Sequence, residues 1–337
     1  GVVAISGFED IRNALQFAKQ NNLKITTAGQ HHSMGGQSFV THGLVLNMQD
    51  FDHMELHREQ GLLTVQSGAT WAQVQKFLDA KGLAPKAMQS FNLLSIGGTL
   101  SANAHGIAHN PGQVAPTVRS FRVMLSDGEI KTASRDENPE LFKLVLGGYG
   151  LFGVILDAQI EVTKNEVYAW KTKYMNYRDF PDYYKNNIEH NGQIGLMYGR
   201  LSIAPHSYLK EAVVHAYEKT AFEQRVPPLQ LEERAWLNRL VLNFSKAGSL
   251  GRWTRWMLEK YVEPKLHKCI SRNQAMSQKE PCLVSRNQQM HNSMAYLKNR
   301  LGDADILQEY FIPPENMPSF VEGLKAIVQK NRANLLN

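Results

Sequence analysis

The chain has 337 residues, 43% of them hydrophobic and 20% charged, and its formal net charge is +6. This length favours two domains, and the composition is typical of a globular protein and excludes a disordered one. No Lys/Arg run with interleaved aromatic residues occurs, so we expect no nucleic-acid partner. Two cysteines, Cys269 and Cys282, are too few for a zinc cluster or a disulfide framework, and we expect no metal.

Predicted helices and strands alternate in the first half of the chain. Residues 7–22 are predicted to be helical because Ile11, Leu15 and Ala18 fall on one face. A second helix is predicted between Thr70 and Gly82. Strands are predicted at 43–48, 62–67 and 158–162, with an Asp-Gly hairpin at 121–130. The alternation predicts an α+β or α/β domain.

A glycine-rich stretch at 26–38 follows a strand-like run. Gly29, Gly35 and Gly36 let the backbone turn sharply and approach a ligand closely. Successive backbone amides in such a turn can hold an anion, typically a phosphate or pyrophosphate. A loop that held only phosphates would not need His31 and His32, which lie inside the turn.

Two further stretches, at 95–106 and 147–155, are also rich in glycine. We predict that 95–106 is a loop that passes close to a ligand and offers it Ser101, Asn103 and His105. The alternative is a tightly packed loop of small residues that binds nothing.

The three glycine-rich stretches, in the order in which they occur along the chain, resemble the PCMH-type FAD-binding domain of the vanillyl-alcohol oxidase superfamily. The signature is Gly-x-x-His-Ser at 29–33, Gly-Gly-x-Leu-Ser…His-Gly at 97–106, Asp-Gly at 127–128 and Gly-x-x-Gly-Val-Ile at 150–155. The resemblance implies a two-subdomain FAD-binding domain over 1–163 and an α+β substrate (cap) domain over 164–337. Alditol and aldonolactone oxidases have the most similar loops.

The resemblance implies FAD as the cofactor. The first turn would bind its pyrophosphate, the second stretch would run along the flavin, and 153–155 would offer backbone groups. The implied cofactor-binding residues are Ala28, Gly29, Gln30, His31, His32, Ser33, Met34, Gln37, Ser38, Ser90, Ser95, Ile96, Gly97, Gly98, Leu100, Ser101, Asn103, Ala104, His105, Gly106, Gly153, Val154 and Ile155.

In relatives the histidine at the position of His32 is often joined covalently to the flavin 8α-methyl group. A neutral imidazole nitrogen is a nucleophile and can form such a bond. We therefore predict a link through His32. The alternative is that His32 only packs or donates a hydrogen bond. His31 is the less favoured attachment point, and we expect His105 to hold its loop.

The catalytic residues are not assigned. Ser90 lies where cytokinin dehydrogenases carry an Asp base, so that activity is not expected. Alditol and aldonolactone oxidases share a strand like 309–313, and their catalytic Glu-x-Arg follows one helix later, which would fall beyond Asn337. We therefore expect the cap domain to be incomplete. Glu309 is a candidate acid or a solvated side chain.

The resemblance implies an FAD-dependent enzyme that oxidises a CH–OH group of a small polyol, sugar or lactone and passes electrons to oxygen or another acceptor. One alternative is a membrane-associated reductase or epimerase acting on a sterol or lipid-linked sugar, because 231–260 combine Trp and Arg. The other reading of 231–260 is that the Trp side chains pack in the core and the basic side chains face solvent. A second alternative is an inactive interaction module. We expect a cytoplasmic protein that is at most peripheral to a membrane.

Overall fold

The computed structural model describes residues 1–33, 35–222, 225–230, 235–246, 248–262, 283–291, 307–331 and 335. The chain divides into two compact units, Gly1–Glu166 with Arg286–Ser293, and Val167–Ser285 with Met294–Asn337. Both units mix helices and strands, which confirms the predicted α+β class. Met34 and both cysteines lie outside the described residues.

The first unit contains nine strands and five helices in its described residues. The strands are β1 (Val2–Ala4), β2 (Lys24–Ala28), β3 (Gly43–Asn47), β4 (Met54–His57), β5 (Leu62–Gln66), β6 (Leu83–Pro85), β7 (Val118–Met124), β8 (Ile130–Ser134) and β9 (Val154–Lys164). The helices are α1 (Phe8–Gln20), α2 (Trp71–Asp79), α3 (Ile96–Ala102), α4 (Pro139–Val145) and, from late in the chain, α8 (Arg286–Met290).

Two sheets build this unit. Strands β1, β3 and β2 form a parallel sheet in that order, and β4, β5, β9, β7 and β8 form an antiparallel sheet, with β6 also pairing with β9. One apolar core joins them: Ile11 on α1 and Leu46 on β3 pack in the same cluster as Leu156 on β9. The predicted hairpin is confirmed, because β7 pairs with β8 across the Asp127–Gly128 turn.

Helix α3 occupies a stretch that we predicted to be a loop. Ser95 caps it, since its Oγ accepts a hydrogen bond from the Gly98 amide at 3.4 Å. Gly97 and Gly98 lower the helix propensity, which is why the sequence reads as a loop. Burial of Ile96 and Leu100 supplies the stabilisation that propensity does not.

The second unit contains a four-stranded antiparallel sheet. Its strands are β10 (Val167–Asn176), β11 (Ile194–Leu201), β12 (Glu211–Lys219) and β13 (Leu283–Ser285), in the order β11, β12, β10, β13. The helices are α5 (Phe180–Asn187), α6 (Ala235–Lys246), α7 (Ser249–Met257), which continues as a π-helical turn over Leu258–Val262, and α9 (Met317–Asn331). Apolar clusters join this sheet to residues beside and on α5 and to Val321 on α9.

One segment differs from the sequence-based expectation. Residues 307–312, within a predicted strand, are not in a β-strand, and Leu307, Tyr310 and Phe311 are exposed. The stretch from Arg286 to His291 follows the second-unit strand β13 in the chain and clusters with the first unit. Among the described residues, no helix combines the length and apolar character needed to cross a bilayer.

Candidate functional site

The first glycine-rich turn begins where β2 ends. Ala28 is buried, and its carbonyl accepts a hydrogen bond from the Met48 amide at 2.9 Å. The Gly29 carbonyl accepts another from Gln49 Nε2 at 3.1 Å. Two bonds to the residues after β3 therefore fix the start of the turn on the edge of the parallel sheet.

The turn and helix α3 meet at Gly29. A Cβ added to Gly29 would lie 2.3 Å from Ser95 Oγ, the atom that caps α3. Only glycine permits this approach without displacing the cap. The close packing explains how two stretches 65 residues apart in sequence reach one site.

The turn offers hydroxyl groups to a ligand. Ser38 is buried, and its Oγ has no hydrogen-bond partner in the part of the chain that the structure describes. A buried hydroxyl without a partner costs free energy, so a ligand oxygen beside it would be stabilising. Ser33 and Gln37 are exposed on the same turn, and the Gln37 carbonyl accepts a hydrogen bond from Thr26 Oγ1 at 2.6 Å. This arrangement suits an anionic, phosphate-bearing ligand.

The two histidines of the turn contact different aromatic rings. His31 has a left-handed backbone, with φ of 55°, and its ring stacks on Phe39 with centroids 6.0 Å apart. His32 meets the Phe91 ring edge-on at 4.8 Å. Partial burial of its ring, and secondarily the charge of His31, lower the pKa of His32. His32 is therefore held neutral at neutral pH, with an unprotonated nitrogen available for bonding.

We expect the His31→Ala substitution to raise the pKa of His32. Removing His31 abolishes the weaker of the two causes, so the pKa should move upward but stay below its ordinary value. NMR titration of the histidine ring protons in both proteins would measure the change. An unchanged or lower pKa would show that the charge of His31 does not act on His32.

The second predicted stretch lies against two other segments of the first unit. The Gly97 amide donates to the Ser67 carbonyl at 2.8 Å. A Cβ on Gly106 would lie 2.1 Å from the Met88 carbonyl oxygen and 3.3 Å from the Ser90 amide nitrogen. Ser90 and Gly106, both predicted site residues, are thus brought together.

The end of α3 is held by polar contacts. Asn103, with φ of 46°, ends the helix, and its side chain bonds to Gln113 Oε1 at 3.3 Å and to the Ala115 amide at 3.3 Å. His105 forms an isolated β-bridge with Gln113. Asn103 and His105 therefore stabilise the loop after α3.

The predicted cofactor-binding residues differ in how exposed their side chains are, and so in whether those side chains can contact a ligand. Gly98 and the turn residues His31, His32 and Ser33 are exposed, and Gln30, Ser101 and Ala104 are half-buried. By contrast, Ile96 and Leu100 are core residues, and Val154 packs in the cluster with Leu156, so its side chain does not face a ligand. Gly153 has a φ of 132°, and a Cβ added to it would lie 2.7 Å from the Met124 carbonyl oxygen, so only glycine fits there.

Sequence reasoning missed a buried polar network beside Phe91. Gln75 on α2 is fully buried, and its Nε2 donates to the Asn287 carbonyl at 3.0 Å. Its Oε1 lies 3.0 Å from His291 Nδ1, which in turn lies 2.8 Å from Asn92 Nδ2. These partners are about 200 positions apart in the chain, and no periodicity or motif in the sequence could have indicated them.

Comparison with known proteins gives one family match. Residues 1–134 match a family model described as an FAD binding domain. Cytokinin dehydrogenase 2 of Arabidopsis thaliana is 33% identical over 189 residues, which cover 55% of this chain and 38% of that protein.

Two other relatives cover a similar part of the chain. An uncharacterized oxidoreductase of the fasciation locus of Rhodococcoides fascians is 32% identical over 50% of this chain and 39% of its own length. A Neurospora crassa protein named as a D-arabinono-1,4-lactone oxidase is 28% identical over 48% of this chain and 29% of its own. The chain thus spans well under half the length of these relatives.

Proposed function

Because the chain belongs, through residues 1–134, to the PCMH-type FAD-binding oxidoreductases of the vanillyl-alcohol oxidase superfamily, we propose that it oxidises a CH–OH group of a small polyol, sugar or lactone. We propose that it acts as an FAD-dependent oxidoreductase, because residues 1–134 match an FAD binding domain and the relatives include dehydrogenases and oxidoreductases. One observation supports an FAD site here. The first turn contacts α3 at Gly29 and Ser95, so the two glycine-rich motifs lie next to each other.

The residues of this site fit FAD. The buried Ser38 hydroxyl without a partner and the exposed Ser33 hydroxyl would hold the pyrophosphate together with backbone amides of the turn. Residues 97–106 and Ser90 would lie along the flavin. Bound FAD supplies the hydride acceptor, and the protein supplies binding and orientation.

We propose that a ring nitrogen of His32 would bond to the flavin 8α-methyl carbon in place of one C–H bond. The proton would leave to solvent, and the two electrons would pass through the flavin to oxygen or another acceptor. The lowered pKa of His32 keeps the ring nitrogen unprotonated, and Phe91 holds the ring from one side. A neutral imidazole is the form that can act as a nucleophile. No catalytic base is assigned within the described residues.

The relatives point to two substrate classes. Cytokinin dehydrogenases are among the more identical proteins. Ser90, however, stands at the position where the resemblance to that family implies an Asp base. The Neurospora crassa protein is named for a lactone. We therefore favour a hydroxyl or lactone donor, with oxygen or another acceptor receiving the electrons.

Anaerobic reduction of the bound flavin tests this proposal. The FAD-loaded chain would be mixed with a panel of polyols, aldonolactones and a cytokinin while the visible flavin absorbance is followed. We expect bleaching by at least one hydroxyl or lactone donor, no bleaching by the cytokinin, and recovery of absorbance when oxygen or an artificial acceptor is added.

Chemical reduction with dithionite is the control that shows the bound flavin to be reducible. Bleaching by the cytokinin alone would overturn the assignment of the donor. If dithionite bleaches the flavin and no donor does, the alternative of an inactive interaction module is favoured.

A further inference from the structure

The second unit exposes an unusual amount of apolar surface on α6, α7 and the turn that follows. The exposed side chains, here called the α6–α7 face, range from 40% exposed for Trp253 to 70% for Leu250. They are Leu240, Val241, Phe244, Leu250, Trp253, Leu258 and Tyr261. Contiguous exposed apolar patches on soluble proteins usually mark a binding surface.

The spacing of these residues places them on one side of each helix. On α7, Leu250 and Trp253 are three residues apart, and on α6 Leu240 and Phe244 are four residues apart. Leu258 and Tyr261 lie on the π-helical turn that follows α7. The two helices are fixed to each other, since a Cβ on Gly251 would lie 2.0 Å from the Phe244 carbonyl oxygen. The α6–α7 face is therefore one surface of a closely packed helix pair.

The inner side of α7 carries the polar anchors. Trp256 is buried, and its Nε1 donates to Glu211 Oε2 at 2.7 Å. Lys260 pairs with the same carboxylate at 2.8 Å, and Glu259 pairs with Arg255 at 3.1 Å. Charged groups thus lie against the sheet and apolar groups face outward, which inverts the usual pattern of a surface helix.

The structure gives the Trp and Arg side chains of this segment different environments, which neither reading of the sequence distinguished. The basic side chain of Arg255 is not solvated, and Trp253 and Trp256 take opposite roles, one exposed and one in the core. Any membrane contact would therefore be made by apolar side chains directly, with the basic residues contributing a surrounding positive field.

The charge of residues 235–262 indicates which kind of partner binds the α6–α7 face. Residues 235–262 contain five basic side chains and one acidic side chain, and Glu211 on β12 adds a second carboxylate. Five positive charges less these two negative charges leave a net positive charge, although Arg255 and Lys260 are each paired with a glutamate. A second copy of this chain would bring the same positive charge to the contact, which is unfavourable. An anionic lipid surface is complementary, and it also suits Trp and Tyr, which settle at the headgroup level.

We propose that the α6–α7 face docks on an anionic lipid bilayer, with Leu250 and Trp253 inserted among the headgroups. The helices lie on the membrane and do not cross it. This inference does not depend on the substrate or on catalysis. It concerns where the second unit is held.

Co-sedimentation with liposomes tests the proposal with the full, FAD-loaded chain. We expect binding to vesicles of phosphatidylcholine mixed with phosphatidylserine, and weaker binding to phosphatidylcholine alone. The double variant Leu250→Asp/Trp253→Asp should lower the partition coefficient by about tenfold or more, because two apolar side chains no longer leave water. Ile327→Asp, an exposed apolar residue on α9, is the matched control and should bind like the wild type.

Three results would overturn the proposal. The first is that the wild type sediments with neither kind of vesicle. The second is that the Ile327→Asp control loses as much vesicle binding as the double variant. The third is that the wild type is a dimer without lipid and that Leu250→Asp/Trp253→Asp converts it to a monomer. Analytical ultracentrifugation distinguishes the last case. Retained flavin absorbance in the double variant shows that the protein is folded, so the result is independent of the proposed donor chemistry.

Discussion

Replacing His32 with alanine is expected to abolish covalent attachment of the flavin. When the wild-type protein is precipitated with acid, the yellow colour should remain in the pellet, and in His32→Ala it should move entirely into the supernatant. The reason is that the neutral ring of His32, held beside Phe91, is the nucleophile that we propose for the bond. Visible absorbance of both fractions measures the outcome.

His31→Ala is the matched control, since it removes the neighbouring imidazole and leaves His32 in place. Its colour should stay in the pellet. Colour that pellets with His32→Ala but not with His31→Ala would assign the bond to His31. Release of the flavin from the wild type would leave FAD binding intact and remove the covalent link.

Replacing Arg286 with methionine is expected to destabilise the first unit by about 1–3 kcal/mol, the usual cost of leaving polar groups without their hydrogen-bond donor. The Arg286 side chain is 4% exposed, donates to the carbonyls of Pro85 and Lys86, and pairs with Glu166. Methionine fills similar space but leaves these acceptors without their donor. Chemical denaturation would measure the free energy of unfolding.

The matched control is Arg178→Met. Arg178 also pairs with a glutamate, Glu322, but both side chains are more than half exposed. Water replaces the lost contact there, so stability should change little. Equal effects of the two substitutions would show that the Arg286 contacts do not hold the late segment on the first unit.

The FAD-binding part of the fold could be predicted from local sequence. Helix α1 follows from the spacing of Ile11, Leu15 and Ala18, and the β7–β8 hairpin from Asp127-Gly128. Helix α3 could not be predicted, because Gly97 and Gly98 oppose a helix locally and only tertiary burial of Ile96 and Leu100 favours it.

The candidate site also has parts that the sequence could predict and parts that it could not. The ordered motifs indicated the turn and the stretch at 95–106 as parts of one site, although not the helix in the second, since close approach requires glycine at positions such as Gly29. The network of Gln75, Asn92 and His291 depends on contacts between distant segments, which leave no trace in a single sequence. On α7 the composition indicated an amphipathic helix but not which side faces outward, because the ion pairs of Arg255 and Lys260 are tertiary contacts.

The flavin content of the purified chain tests the central claim most directly. The protein would be incubated with FAD, separated from unbound FAD by gel filtration, and examined for visible flavin absorbance relative to its protein absorbance. We predict an equimolar amount of bound FAD, held by the turn after β2 and by α3. A colourless protein that retains no FAD would contradict the assignment of this site.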